Sequence, residues 1–169
     1  MKTPICSFCA KTGILCPNCE AKLRGGHISK ADVEVSAQLT RLAEKLPELD
    51  RVTLIRAFDI DGGYVLVLKA GDLVTLRRES QTAKKIESEL QRKVWFIEGE
   101  ASDRRILEDL FYPIKIVTVN MVWLPDGSKL TKAIIPGKKT ERFPLDIEQV
   151  KRVVKEVRGI DLLVEFERQ

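Results

Sequence analysis

Four cysteines stand in one short stretch near the start of the chain, Cys6-Ser7-Phe8-Cys9 and Cys16-Pro17-Asn18-Cys19. The pattern is C-x2-C, a six-residue spacer and C-x2-C, and no other feature restricts the fold as much, because four sulfurs this close in sequence must be partnered locally. Two residues between the members of a pair allow a tight turn whose backbone amides point at the sulfurs, and four thiolates suit zinc, which prefers soft ligands and four-coordination. Two disulfides are the rival pairing, and they need an oxidising compartment. An iron-sulfur cluster is the other alternative. Four protein ligands leave no open position for water, so the expected zinc, one per chain on Cys6, Cys9, Cys16 and Cys19, is structural. Pro4, Gly13 and Pro17 supply turn chemistry, and the short spacer predicts a compact metal-stapled hairpin over residues 1–28.

The chain has 169 residues, 44% hydrophobic and 32% charged, enough for one or two small domains with a real core. Its net charge of +4 is uneven: residues 1–30 hold five basic side chains against Glu20, and the rest carry 24 basic against 24 acidic (29 − 5 and 25 − 1). Four thiolates on one Zn2+ sum to minus two, which lowers that local excess of four to about two. No run reaches the roughly 18 apolar residues of a membrane span, and the N-terminus lacks the apolar core of a secretion signal. The expected address is therefore cytoplasmic and reducing, with no membrane partner. One histidine, His27, follows Gly25-Gly26 beyond a complete ligand set and reads as linker. No Ser-His-Asp set can form around it, and the carboxylates are evenly mixed with Lys and Arg, so a non-catalytic protein is expected. Phe8 and Ile14, between the ligands, are either a stacking platform for a base or an apolar face docked on the next domain; docking is expected.

Beyond the cysteines, Ser29 with Asp32 three residues on starts a helix carrying Val35, Leu39, Leu42, Ala43 and Leu46, which Pro47 stops. Two β-rich runs, 51–58 and 64–69, flank the turn Asp61-Gly62-Gly63. A short helix then leads through Arg77-Arg78-Glu79-Ser80 into a helix over 81–90, followed by a strand over 93–98. The second half predicts a strand over 115–123, a turn at Pro125-Asp126-Gly127-Ser128 and a strand over 129–135. A helix capped by Asp146 and stopped by Gly159 precedes a last strand over 160–167. Trp95, Phe96, Trp123 and Phe143 lie in or beside these strands, and most are assigned to the core.

The order helix, strand, strand, short helix, helix, strand is that of a type II KH fold. The run from Lys69 through Lys93-Val94-Trp95-Phe96-Ile97, then Asp103 to Pro113, resembles the KH region of NusA-type transcription factors. Ile106 to Val117 is similar to the helix and proline-containing link between their tandem KH domains. With the cysteine pairs ahead of it, the whole resembles small archaeal proteins of that description. The resemblance implies an α+β fold in which a small zinc module (1–28) precedes tandem, degenerate type II KH-like domains at 29–112 and, reduced, at 113–169.

KH domains grip RNA with a GxxG loop, where missing side chains let a phosphate approach the backbone. Here Arg77, Arg78, Glu79 and Ser80 stand at those positions, and the second loop reads Gly137-Lys138-Lys139-Thr140-Glu141-Arg142. Charge-assisted contacts from Arg77, Arg78, Lys84 and Lys85, with Ser80 capping the helix, are the RNA-binding reading of the first loop; a solvated turn is its rival. In the second, Lys138, Lys139 and Arg142 offer phosphate contact, with Lys151, Arg152 and Lys155 on the following helix. The expected function is binding of RNA, either a nascent transcript beside RNA polymerase in a NusA-like elongation or termination setting, or ribosomal RNA on the ribosome. A protein-protein adaptor that no longer touches RNA is the further alternative.

Overall fold

The computed structural model describes residues 1–139 and 142–168. It is a mixed α+β structure whose contacts divide the chain into two units, Met1–Glu100 and Ala101–Gln169. Among the described residues, no helix is long and apolar enough to cross a membrane.

The first unit opens with two short helices, α1 (Ser7–Thr12) and α2 (Pro17–Arg24), in place of the expected hairpin. The reason is local. Cys6 and Cys16 each take an extended backbone and act as N-caps, Pro17 presets the first helical φ of α2, and Gly13 ends α1 in the left-handed region at φ 74°. This segment is not a separate domain, because α1 packs on the next helix, α3 (Lys30–Ala43), and Cys9 and Ala10 of α1 share a small cluster with Ile5, Ile28 and, from α3, Val33. Lys2 also bridges in parallel to Thr53, and the Leu54 N–H donates to the Lys2 carbonyl at 2.9 Å.

The capping box read from Ser29 and Asp32 is present, and it does more than cap. Asp32 is fully buried. Its Oδ2 accepts from the Ser29 N–H at 2.7 Å and from Arg56 Nε at 3.0 Å, while Oδ1 accepts from the Ala57 N–H at 2.6 Å. One carboxylate thus starts α3 and holds it to strand β1 (Leu54–Ile60). A 3-10 turn at Pro47–Arg51 takes up Arg51, the first residue of the expected β-run, and β1 starts at Leu54 instead, since Pro47 favours the start of a helical turn.

Strand β2 (Gly63–Leu68) pairs antiparallel with β1 and parallel with β3 (Lys93–Glu98), giving the order β1-β2-β3. Helices α4 (Asp72–Arg78) and α5 (Ser80–Leu90) form the crossover. Val35 and Leu39 of α3, Leu66 and Leu68 of β2, Leu73 of α4 and Ile86 of α5 share one core. Every residue of β2 is buried, and Val65, Val67, Trp95 and Ile97 make a second buried row on the opposite sheet face. The unbroken run Tyr64-Val65-Leu66-Val67-Leu68 is the sequence counterpart of a strand buried on both sides. Gly63 is required where β2 meets β3: a Cβ there would stand 2.2 Å from the Lys93 carbonyl oxygen.

The second unit holds α6 (Asp103–Phe111), β4 (Thr118–Trp123), β5 (Lys129–Ile135), α7 (Ile147–Arg158) and β6 (Leu162–Phe166). The expected boundary between 112 and 113 moves to between 100 and 101, because α6 packs on α7. Its sheet repeats the first: β5 is central, antiparallel to β4 and parallel to β6. One helix, α7, forms this crossover where the first unit has two. Asp146 caps it through the Gln149 N–H, Val150, Val153 and Val154 are buried beneath it, and Gly159 at φ 67° ends it.

Removing the Asp32 carboxylate leaves the buried Ala57 N–H without its acceptor and unpairs Arg56. Asp32→Ala is expected to destabilise the first unit by about 3 kcal/mol in urea unfolding, well beyond Arg56→Ala, whose side chain is partly solvated.

Candidate metal centre and basic surfaces

The two cysteine pairs occupy equivalent places on two helices: Cys6 and Cys16 are N-caps, and Cys9 and Cys19 lie three residues on in the first turn. This geometry aims all four sulfurs at one point. The ligand atoms lie within 4.8 Å of one another, with Cys6 Sγ 3.3 Å from Cys9 Sγ and 3.9 Å from Cys16 Sγ. A single ion with metal-sulfur distances of about 2.3 Å needs sulfurs about 3.8 Å apart in a tetrahedron, so the four positions suit one metal ion. An iron-sulfur cluster divides its four thiolates among two or four irons and would spread them further. No disulfide joins the four cysteines in this structure.

Backbone amides complete the cage. The Cys6 N–H donates to Cys19 Sγ at 3.4 Å, the Cys16 N–H to Cys9 Sγ at 3.0 Å and the Cys19 N–H to Cys16 Sγ at 3.5 Å. The Cys19 amide holds the Cys16 thiol down at about 7, and the Cys9 amide lowers Cys6 in the same way. Burial pushes the Cys9 thiol up to about 12. For Cys19, the Cys6 amide favours the thiolate, but burial and the neighbouring Cys16 sulfur outweigh it and the thiol is raised. Cys6 and Cys16 are thus biased toward the thiolate, and a bound cation would supply the positive charge that Cys9 and Cys19 need to ionise.

Phe8 and Ile14 do not dock on the following helix, contrary to expectation. They are 61% and 69% exposed, because α1 turns Cys9 and Ala10 toward α3 and leaves Phe8 on the opposite side. His27 is exposed and outside the ligand group.

The expected first loop is a single residue. Arg77 and Arg78 form the last turn of α4, Glu79 is the link, and Ser80 opens α5; the Ser80 side chain lies outside the described residues. Arg77 is half-buried and partnered. Arg78 is exposed and lines a hollow of about 400 Å³ with Arg51, Thr75, Pro47, Glu48 and Glu79. Two guanidinium groups there face two carboxylates, so the hollow carries no net positive charge. Lys84 and Lys85 are exposed one turn into α5, and among the described residues neither enters an ion pair. Arg51 was missed by sequence reasoning, since only the fold brings the 3-10 turn beside the end of α4.

In the second unit Lys138, Lys139 and Arg142 are exposed, while Thr140 and Glu141 of that loop lie outside the described residues. Lys139 shares a shallow hollow with Arg168, Val164, Glu165 and Phe166. Arg168 is a second cation no motif pointed to. The helical strip is already engaged: Lys151 pairs with Glu148 at 3.1 Å and Lys155 with Asp161 at 2.7 Å, and Arg152 is also partnered. Of the four aromatic residues, Trp95 is buried, Phe96 packs on the core, and Phe143 meets Phe166 edge-to-face at 5.5 Å. Trp123 departs from the core assignment at 69% exposed.

No protein-family model matches the chain, and no curated protein matches it. Among solved structures, the one described as "Crystal structure of APE1850" is similar at 15% identity, over 75% of this chain and 96% of that one, with a TM-score of 0.46.

The sulfur geometry predicts that cobalt(II) titrates into reduced protein at one equivalent, with the sulfur-to-metal charge-transfer and visible bands of a tetrahedral thiolate site. Cys9→Ser or Cys19→Ser is expected to lose the tetrahedral signature, because each removes a ligand held inside the cage.

Proposed function

We propose that the protein is a non-catalytic RNA-binding protein whose two units are degenerate type II KH-like domains, and that its cysteine cage holds a structural zinc. One observation carries the reading. The two units share a sheet topology, and in both the segment between the central strand and its parallel neighbour displays exposed cations. These are Arg78, Lys84 and Lys85 between β2 and β3, and Lys138, Lys139 and Arg142 between β5 and β6. A KH domain places its RNA-contacting loop in that same connection.

The form of contact follows from what replaces the glycines. Long basic side chains reach phosphate oxygens at a distance from the backbone, so they position RNA without reading its bases. Binding of this kind favours shape and charge over sequence and weakens steeply with salt. The NusA-like resemblance makes a nascent transcript beside RNA polymerase the first setting and ribosomal RNA the second. A cytoplasmic, reducing environment would keep the thiols available as ligands. The zinc does no chemistry here: it holds α1 and α2 together against α3.

A protein adaptor is the competing reading, and a specific observation favours it: Glu48 and Glu79 stand beside Arg51 and Arg78 in the first unit. RNA binding by fluorescence anisotropy at several salt concentrations separates the two. On the RNA reading, Lys84→Glu with Lys85→Glu, and separately Lys138→Glu with Lys139→Glu, weaken binding and flatten the plot of log affinity against log salt. For single strands the slope is expected to fall by roughly 0.7 for each phosphate no longer neutralised. Unchanged affinity and slope in both variants would leave the adaptor.

A further inference from the structure

Among the described residues, every sheet edge in this protein except one is protected. β1 carries a bulge between Leu54 and Arg56, Asp59 pairs with Arg92 at 2.8 Å, and Lys2 bridges to Thr53 beside it. β3 begins with Lys93 and ends with Glu98, and β6 carries Glu165, paired with Lys132 at 2.7 Å. β4 has none of these devices. From Val117 to Leu124 the chain reads Val-Thr-Val-Asn-Met-Val-Trp-Leu, with no charge and no proline, and among the described residues no strand pairs with β4 on the side away from β5. Met121 is 52% exposed and Trp123 69%. Natural edges of this length and polarity are normally blunted because they template pairing with another chain.

The register assigns the exposed side chains to faces. Val119 and Met121 lie opposite Ala133 and Thr131, the buried residues of β5, so Val119, Met121 and Trp123 share the face that α7 covers further along the sheet. The first unit bridges its sheet with two crossover helices and this unit with one, and the β4 side of that face is left bare.

We propose that β4 pairs antiparallel with β4 of a second copy of this chain, joining two three-stranded sheets into one of six strands about a twofold axis. Three features select this occupant. Antiparallel self-pairing is the arrangement in which two identical edges close on themselves without leaving a new one. With the axis at Asn120, Val119 faces Met121 of the second copy and Val117 faces Trp123, so each cross-strand pair on that face is apolar. The flanks are complementary: the Lys115 end of one strand meets the Asp126 end of the other, whereas parallel pairing would set like charges side by side. The exposed side chains of Val117 to Leu124 alternate between the two faces of the strand, so pairing through the edge covers only part of them and buries less than a standard interface. The dimer is therefore reversible and concentration-dependent.

Sedimentation equilibrium on zinc-loaded, nucleic-acid-free full-length protein tests this. The expected result is a mass rising from one chain to two with concentration. Asn120→Lys alone and Asn120→Asp alone should each weaken self-association about tenfold or more, because like charges then face each other across the axis, and their equimolar mixture should recover it as a heterodimer. Met121→Lys serves as a second edge variant, with circular dichroism showing that each variant is folded. A wild-type chain monomeric at all concentrations, a dimer indifferent to these substitutions, or an Asn120→Lys and Asn120→Asp mixture that stays monomeric would overturn the proposal.

Discussion

The carboxylate of Asp32 is the interaction on which the first unit depends. It is fully buried, yet its oxygens are engaged by the Ser29 amide, the Arg56 guanidinium and the Ala57 amide. A buried charge is tolerable only when so satisfied, and here each partner comes from a different structural need: the start of α3, the bulged edge of β1 and the strand backbone itself. The same residue follows directly on the cysteine segment. The position of α1 and α2 against α3 is therefore set by a helix whose own start is pinned to the sheet.

On that frame the cysteine segment solves a problem of size. Residues 1–28 are too few to build a core, and their buried apolar side chains, Ile5, Ala10 and Ile28, make only a small cluster with Cys9 and Cys19. Two helix starts that each present a sulfur at the N-cap and another one turn later bring four ligands together without a sheet. Amides that would otherwise be unpartnered at the helix ends donate to those sulfurs instead. A metal ion on these four sulfurs would supply the stability that the small cluster lacks, and Phe8 and Ile14, outside that cluster, face solvent.

The two units show how one topology tolerates unequal support. Both place the central strand between an antiparallel and a parallel neighbour, and both need a crossover above the sheet to make the parallel link. Where two helices fill that crossover, the central strand is buried throughout. Where one does, the outer strand is left with Met121 and Trp123 exposed. The basic residues sit on the crossover segments in both cases, away from the sheets' apolar faces, so charge and packing do not compete.

Much of this was legible in the residues. Helix caps at Ser29 and Asp146, the stop at Gly159, the turn at Asp126-Gly127 and the ligand set itself are local chemistry, decided within a few residues of the chain. Periodicity gave α3, α5, α7 and most of the strands for the same reason, but it did not give α1 and α2, which stand where a hairpin was expected. What periodicity cannot carry is which face finds a neighbour. Phe8 and Trp123 have the composition of core residues and are exposed, Asp32 has the composition of a surface residue and is buried, and α6 belongs with α7 although the chain alone suggested otherwise. Those outcomes depend on contacts between segments far apart in sequence, such as Asp32 with Ala57 or Arg51 beside Arg78, and only the folded chain, by bringing such segments within bonding distance, decides them.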